Sequence, residues 1–228
     1  DFNENTIGPS PAVIEAINAI PSAHISIYPE YKGLKEAIAN NLNCQNSCPK
    51  IKPLQVGVFN GVDAAIHAVF HSYGNHGDQL LTTAPTFGYY NPCALMQGMK
   101  TIAIPYEKDN FEFPYNKIHT TLLQQNTKIL LICNPNNPTG TRVQAKEIIK
   151  LAKVSPKTLV VIDELYEAFT GDSVLPFVDF NQIPNLLILR SLSKTAGLAG
   201  LRIGFAIGNP EVVNRVSRVT GPYDINIF

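Results

Sequence analysis

The sequence predicts an α/β protein: a mostly parallel sheet of about seven strands, covered by helices on both faces to give three layers. Three observations carry this expectation. Short apolar runs alternate with longer segments of helical periodicity. The runs are continuously apolar rather than alternating, as in strands buried on both sides. The chemically unusual residues cluster just after the runs, where ligands bind in such sheets. With 228 residues, 45% of them hydrophobic, the chain is long enough for a large core.

Taken in order, "SPAVIEAINAI" opens with Ser10 as a helix cap and Pro11 at the first helical position, followed by apolar residues at helical spacing. "YKGLKEAIANNL" predicts a second helix. "LQVGVFNG" reads as a short strand ending at Asn60-Gly61, and "VDAAIHAVFHSYG" as a helix closed by Gly74. "DQLLTTAP" is a strand, "TFGYYNPCALMQG" mostly helix, "KTIAIPY" a strand and "YNKIHTTLLQQ" a helix. "TKILLICNP" reads as a buried strand, "AKEIIKLAKV" as a helix, and "TLVVIDE" and "NLLILRS" as two further strands. "LRIGFAIG" is the last strand and "PEVVNRVSRV" begins a helix. The first 45 residues lack the alternation, so the chain divides into an N-terminal arm with helices, 1–45, and a large domain, 46–228.

Lys plus Arg and Asp plus Glu both number 18, a balance that argues against a nucleic-acid or membrane-surface partner. No apolar run has the length of a membrane span, and "DFNENTIGPS" is not a signal peptide. The four cysteines, Cys44, Cys48, Cys93 and Cys133, are scattered and read as reduced thiols of a cytoplasmic protein, although Cys44 and Cys48 are close enough to pair. The first residue is not methionine, as expected of a chain trimmed at its start.

Five strand ends carry the candidate chemistry. Asp163 ends an apolar run, and a carboxylate there needs a cation or several donors; a helix cap or structural ion pair would serve equally. Tyr166, three residues on, can aim a phenol at the same space. "NPNNPTG" is a turn cluster presenting Asn137, or simply a loop. "FNGVDA" joins strand to helix, and the free N–H groups of a helix start can seat a phosphate. In "RSLSKTAGLAGLRIGF", Ser191, Ser193 and Arg202 supply two hydroxyls and a guanidinium suited to a phosphate dianion. Lys194 is then left for covalent work, as an amine that forms a Schiff base. A carboxylate, a phenol, a phosphate cup and a lysine match the needs of pyridoxal 5′-phosphate. His67 and His71 share a helix face, but they lack further ligands nearby and read as surface or packing residues, as does His76. Phe111, Phe113 and Tyr115 alternate and read as a packed edge or a wall of the substrate path.

With these residues in place the sequence resembles the fold-type I pyridoxal-phosphate aminotransferases, and among them the histidinol-phosphate aminotransferases. "NENTIGPSP", "YPEYKGLKEAIA", "NPNNPTG", "DELYEAF", "LRSLSKTAGLAGLRIG" and "PYDIN" carry the likeness along the whole chain. The resemblance implies the mixed large-domain sheet of the aspartate-aminotransferase type. Lys194 would hold the cofactor and move a proton, Asp163 would keep the pyridine nitrogen protonated, and Tyr166 and Asn137 would bond the ring's phenolic oxygen. The backbone of Val62 and Asp63, with Ser191, Ser193 and Arg202, would hold the phosphate, and Phe87 would stack on the ring. Many relatives carry Tyr at the Phe87 position, so stacking survives here and a hydroxyl is lost. Relatives often have Ser or Ala-Asp-Glu where Val62-Asp63-Ala64 stands, yet the backbone donors remain. Tyr28 would reach the phosphate of a neighbouring subunit in a homodimer, although the "YPEY" arm also reads as a plain subunit contact.

The implied activity is amino transfer from histidinol phosphate to 2-oxoglutarate in histidine biosynthesis, with a small-molecule amino donor and a 2-oxo acid as partners. A threonine-phosphate decarboxylase, an aromatic amino-acid aminotransferase and a truncated, non-catalytic cofactor-binding protein are the alternatives. The chain ends at Phe228, soon after "PYDIN", whereas the family continues into a C-terminal small domain; that domain is expected to be absent.

Overall fold

The computed structural model describes residues 2–45 and 50–228. Seven strands form one mixed sheet in the order β1-β7-β6-β5-β4-β2-β3. They are β1 (Val56–Asn60), β2 (Gln79–Ala84), β3 (Lys100–Pro105), β4 (Thr127–Cys133), β5 (Leu159–Asp163), β6 (Leu186–Ser191) and β7 (Ile203–Gly208). β2, β3, β4, β5 and β6 run parallel, and β7 is antiparallel to both β6 and β1. β1 therefore points the same way as the parallel set, and the mostly parallel, mixed sheet is as expected.

The helices are α1 (Pro11–Asn18), α2 (Lys32–Gln45), α3 (Gly61–Tyr73), α4 (Tyr90–Met96), α5 (Tyr115–Gln124), α6 (Ala145–Val154) and α7 (Pro210–Ser217). Two apolar clusters lie on the two faces of the sheet. One gathers Ile148 and Leu151 of α6 and Ile118 of α5 against Leu130, Ile132, Val160 and Ile162. The other sets Ile66, Val69 and Phe70 of α3, Tyr90 of α4 and Val216 of α7 against Ile129, Leu131, Val161 and Leu189. Alternate residues of β4 and β5 thus enter opposite layers, which is why these runs show no polar alternation.

Local expectations differ in three places. Ser10 is extended and Pro11 follows at the first helical position, but the Ser10 side chain makes no capping hydrogen bond. Gly74 closes α3 with its N–H on the Phe70 carbonyl at 2.8 Å, yet its φ of −86° is not left-handed. Glycine is needed there for room, because a Cβ would press on the Met99 sulfur and lie 2.8 Å from the Phe70 oxygen. The helix expected over "TFGYYNPCALMQG" shrinks to α4, seven residues long.

Ahead of β1, α1 buries nothing, whereas Ile38, Ala39 and Leu42 of α2 join the same core cluster as Ile162 and Phe205. Phe113 packs edge-on against Tyr106 at 6.4 Å, while Phe111 stays half exposed. Cys93 and Cys133 are buried free thiols; the possible pairing of Cys44 with Cys48 lies outside the described residues. No helix among the described residues is long and apolar enough to cross a membrane.

Candidate active site

The sheet topology builds the site. Parallel strands bring the C-terminal ends of β1, β2, β4, β5 and β6 to one rim, and antiparallel β7 starts at that same rim. Residues following five strands and preceding a sixth therefore meet. They surround a cavity of about 460 Å³ whose lining includes Val62, Asp63, Phe87, Asn137, Tyr166, Ser191, Ser193, Lys194 and Arg202. Nine of the eleven expected residues line this space; Asp163 is buried beside it, and Tyr28 stands apart on the arm.

The Lys194 segment is the short return from β6 to β7. It is pinned by Leu192 N–H on the Ile203 carbonyl (3.1 Å) and Leu198 N–H on the Leu192 carbonyl (3.1 Å). Ser191 Oγ donates to Ser193 Oγ at 2.8 Å and accepts the Ser193 N–H at 3.0 Å, so the two hydroxyls sit together. Lys194 Nζ donates to the Phe2 carbonyl at 2.6 Å and lies 5.9 Å from the centre of the Tyr166 ring. Its Gly197, at φ 69°, lies against the arm; a Cβ there would come within 2.7 Å of Gly8 backbone.

On the opposite side, Gly204 of β7 runs so close to α3 that a Cβ would sit 2.5 Å from the Val62 nitrogen. This approach brings Arg202 beside the start of α3, where it meets Asp63 at 3.3 Å. Arg202 is left-handed, with φ 54°. The N-cap residue of α3, Asn60, gives no side-chain cap and donates instead to the Asp224 carbonyl at 2.9 Å. The N–H groups of the first turn of α3 thus have no side-chain cap, beside a guanidinium and two hydroxyls. That is the donor set a phosphate requires.

Asp163 is the most telling group. It is 2% exposed, and no cation pairs with it among the described residues. Its Oδ2 accepts from Tyr90 Oη at 2.7 Å and its Oδ1 from the Leu165 N–H at 3.1 Å. Burial pushes its carboxyl up to about 6, against the help of those two donors. A structural ion pair, one of the two bland readings from sequence, is therefore not found among the described residues. A buried carboxylate held by two neutral donors, next to a cavity, fits a cationic ring nitrogen. Asn137 and Tyr166 line the same cavity, and Phe87 meets Tyr90 edge-on at 5.5 Å.

Sequence reasoning missed several of these residues. Tyr90 was read as part of a helix, although a fully buried tyrosine must place its hydroxyl somewhere. The arm folds over the cavity of its own chain: Phe2, Asn3 and Glu4 line it, and Asn3 Nδ2 donates to the Tyr166 phenol at 2.9 Å. Nothing in "DFNEN" signals these contacts. Arg190, beside Ser191, is buried with Glu164, next to Asp163. Its guanidinium meets Glu164 at 2.9 Å, Glu167 at 2.9 Å and Ser173 Oγ at 2.7 Å. Tyr28 is 72% exposed and stacks on Tyr223, ring centres 4.3 Å apart. His67 and His71 lie on one face of α3 with ring centres 6.0 Å apart.

Fold and donor set together define a class: an α/β protein whose strand-end rim is built for a phosphorylated, cationic heterocycle with a lysine at hand. The pattern of aminotransferase class I and II matches residues 1–225, and the chain belongs to that family. Its cofactor is pyridoxal 5′-phosphate. It is 31% identical over 99% of its length to a histidinol-phosphate aminotransferase of Caldanaerobacter subterraneus subsp. tengcongensis, of which it covers 62%. It is 32% identical over 99% of its length to a dihydroxyacetone phosphate transaminase of Campylobacter jejuni, of which it covers 60%. In fold it is similar to the histidinol-phosphate aminotransferase of Sinorhizobium meliloti in complex with pyridoxal-5′-phosphate. That similarity has a TM-score of 0.86 at 24% identity, over 98% of this chain and 59% of the other. The chain thus spans about three-fifths of the length of these relatives.

Proposed function

We propose that the protein catalyses pyridoxal-phosphate-dependent transamination, with histidinol phosphate as amino donor and 2-oxoglutarate as acceptor, in the cytoplasmic synthesis of histidine. The observation that supports this best is the rim cavity holding Lys194, the Ser191–Ser193 hydroxyl pair and Arg202, with Asp163 buried beside it and unpaired with a cation among the described residues. Relatives named for phosphorylated substrates favour a phosphorylated substrate; one is named for the amine histidinol phosphate and the other for the ketone dihydroxyacetone phosphate.

The cofactor supplies an electron-withdrawing ring and an aldehyde that condenses with amines. Each residue of the chain then has a task. Lys194 Nζ would hold the cofactor through its amine and, when free, would serve as the base that moves the proton from the substrate Cα. Asp163 would keep the ring nitrogen protonated, with an attraction of about 4 kcal/mol, the scale for two unit charges in close contact at an effective dielectric of about 20. Tyr166 and Asn137 would bond the ring oxygen, and Phe87 would cover the ring. Ser191, Ser193, Arg202 and the N–H groups of Val62 and Asp63 would hold the phosphate. The groups that orient the substrate carboxylate would belong to the part of the relatives' length that this chain does not span.

Borohydride reduction with bound pyridoxal phosphate, followed by peptide mapping, is expected to label Lys194. Label elsewhere, or none with excess cofactor, would sink the assignment. A donor panel tests the substrate. Amino transfer from histidinol phosphate is expected; release of carbon dioxide from threonine phosphate would favour a decarboxylase instead.

The arm, 1–45, is proposed to mediate a homodimer in which Tyr28 reaches the partner's phosphate site. Its exposed apolar residues, Ile7, Ile14, Ile25, Ile27 and Tyr28, favour a covered face. Tyr28→Phe is expected to weaken cofactor retention by about 1 kcal/mol, or somewhat more if the acceptor is charged. Sedimentation of a monomer that still holds cofactor tightly would count against the dimer.

A further inference from the structure

Tyr90 has a place in the site that the roles above do not use. It is 1% exposed on α4, with its ring against the edge of Phe87 at 5.5 Å and its hydroxyl on Asp163 Oδ2 at 2.7 Å. Phenylalanine would fill the same core space without a hydroxyl to satisfy. The hydroxyl's partner is a carboxylate that pairs with no cation among the described residues, rather than a nearby backbone carbonyl. With the Leu165 N–H on Oδ1 at 3.1 Å, both oxygens of Asp163 are tied, by donors from two different elements. Two such bonds define the plane of the carboxylate.

We propose that Tyr90 is a positioning residue for the cofactor site: its phenol fixes the rotation of Asp163 and keeps it ionised, and its ring seats Phe87. The cofactor half of this inference rests on the reading of Asp163 as partner of the ring nitrogen.

The surrounding charges leave this task to Tyr90 and the Leu165 amide. Cys133, in register with Asp163 on β4, is buried, and burial pushes its thiol up to about 12, so it stays neutral. Asp63 of α3 opposes ionisation of Asp163. Burial, and then the Asp163 charge, push the Tyr90 phenol well above its ordinary range, so it remains a donor at every working pH. A buried tyrosine that merely packs would make the same contacts with Phe87. The two roles differ in whether the effect of Tyr90 passes through the charge on Asp163.

The test has two readouts. The first is a carbon-13 carboxyl titration of Asp163 in cofactor-free protein. Tyr90→Phe is expected to move its midpoint upward by about one unit or more, the scale of a hydrogen bond to a charged group. Replacing Tyr90 with 3-fluorotyrosine, a stronger donor that keeps the shape, is expected to move it downward. This second variant decides the matter if Tyr90→Phe does not fold. A midpoint unmoved in both variants would overturn the proposal.

The second readout is the affinity for pyridoxal phosphate, measured in wild type, Tyr90→Phe, Asp163→Asn and the double variant. At pH ~5, where Asp163 is mostly protonated in the empty site, Tyr90→Phe is expected to weaken binding about tenfold when Asp163 is present, matching a one-unit shift, and to add nothing in the Asp163→Asn background. Equal losses in both backgrounds would mean packing alone, and the positioning role would fall. Wild type that binds no pyridoxal phosphate, with the titration shift intact, would instead bring down the cofactor reading of Asp163 while leaving the Tyr90–Asp163 link standing.

Discussion

Arg190→Met is expected to destabilise the protein by about 3–5 kcal/mol, the cost of leaving a buried charge without its partner. The Arg190 side chain is 8% exposed, that of Glu164 0% and that of Glu167 18%. Without the guanidinium, Glu164 keeps the Ser173 hydroxyl at 2.9 Å and the Val174 N–H at 2.8 Å, which do not neutralise it. Burial already raises the Glu164 carboxyl above its ordinary 4.5, and Arg190 is the largest influence holding it down. The pH dependence follows from that sign. Below the ordinary value of 4.5, Glu164 carries a proton in both folded and unfolded states, and the deficit of the variant is small. As pH rises Glu164 of the wild-type fold, helped by Arg190, loses its proton before that of the variant fold, and the deficit grows from there until the variant's group ionises too. Denaturant midpoints across pH would check this. Glu164→Gln combined with Arg190→Met is expected to recover part of the loss, because the buried Glu164 charge goes as well. A midpoint for Arg190→Met equal to wild type at neutral pH would show that the network contributes nothing. The loss would reach the site, since this one side chain ties the segments that carry Asp163, Tyr166 and Ser191.

Asp163→Asn is expected to act in opposite directions on stability and on cofactor binding. The Asp163 carboxyl stands at about 6 in the folded protein against an ordinary 3.8. A raised folded value means that its contribution to stability is fully present below about 3.8 and is lost as pH rises through about 6. At neutral pH the ionised group therefore costs the cofactor-free fold about 3 kcal/mol, by the two-unit difference. The amide carries no such cost, so the cofactor-free variant should melt higher than wild type above pH ~6 and show a flatter pH profile. Binding of pyridoxal phosphate should weaken by up to about 10³-fold, the equivalent of the roughly 4 kcal/mol attraction to the ring nitrogen. The rate of the first half-reaction in single-turnover absorbance should fall with it. A variant with wild-type affinity and wild-type half-reaction rate would remove Asp163 from its role. In this reading the cofactor's cation offsets a charge that the empty fold holds at a loss, the pattern of a site built for function rather than stability.

The strands were legible because their burial is a local property of composition. "ILLIC" and "LVVI" are apolar at every position, and a run covered on both faces has no polar side to show. The rim residues were legible for a related reason. When strands run parallel, whatever follows each of them collects at one edge, so reading strand ends was enough to place Asn137, Tyr166, Ser191, Ser193 and Lys194 around one cavity. The type of each side chain then limited the chemistry, and the lysine between two hydroxyl residues limited it most.

What the sequence by itself determined was therefore the layer architecture, the rim and the family. Tertiary structure alone decided three things. It inserted β7 between β1 and β6, which brings Arg202 beside the start of α3. It laid the arm across its own cavity, with Phe2 on Lys194 and Asn3 on Tyr166. It gave Asp163 its partner, Tyr90, 73 residues away, and gathered Glu164, Glu167 and Ser173 around Arg190. The physical reason is common to all three. Periodicity and turn chemistry report on neighbours along the chain, through steric and hydrogen-bonding limits that act over a few residues. The partner of a buried polar group is set by which distant segments pack together, and any of several donors would satisfy the same carboxylate until the fold selects one.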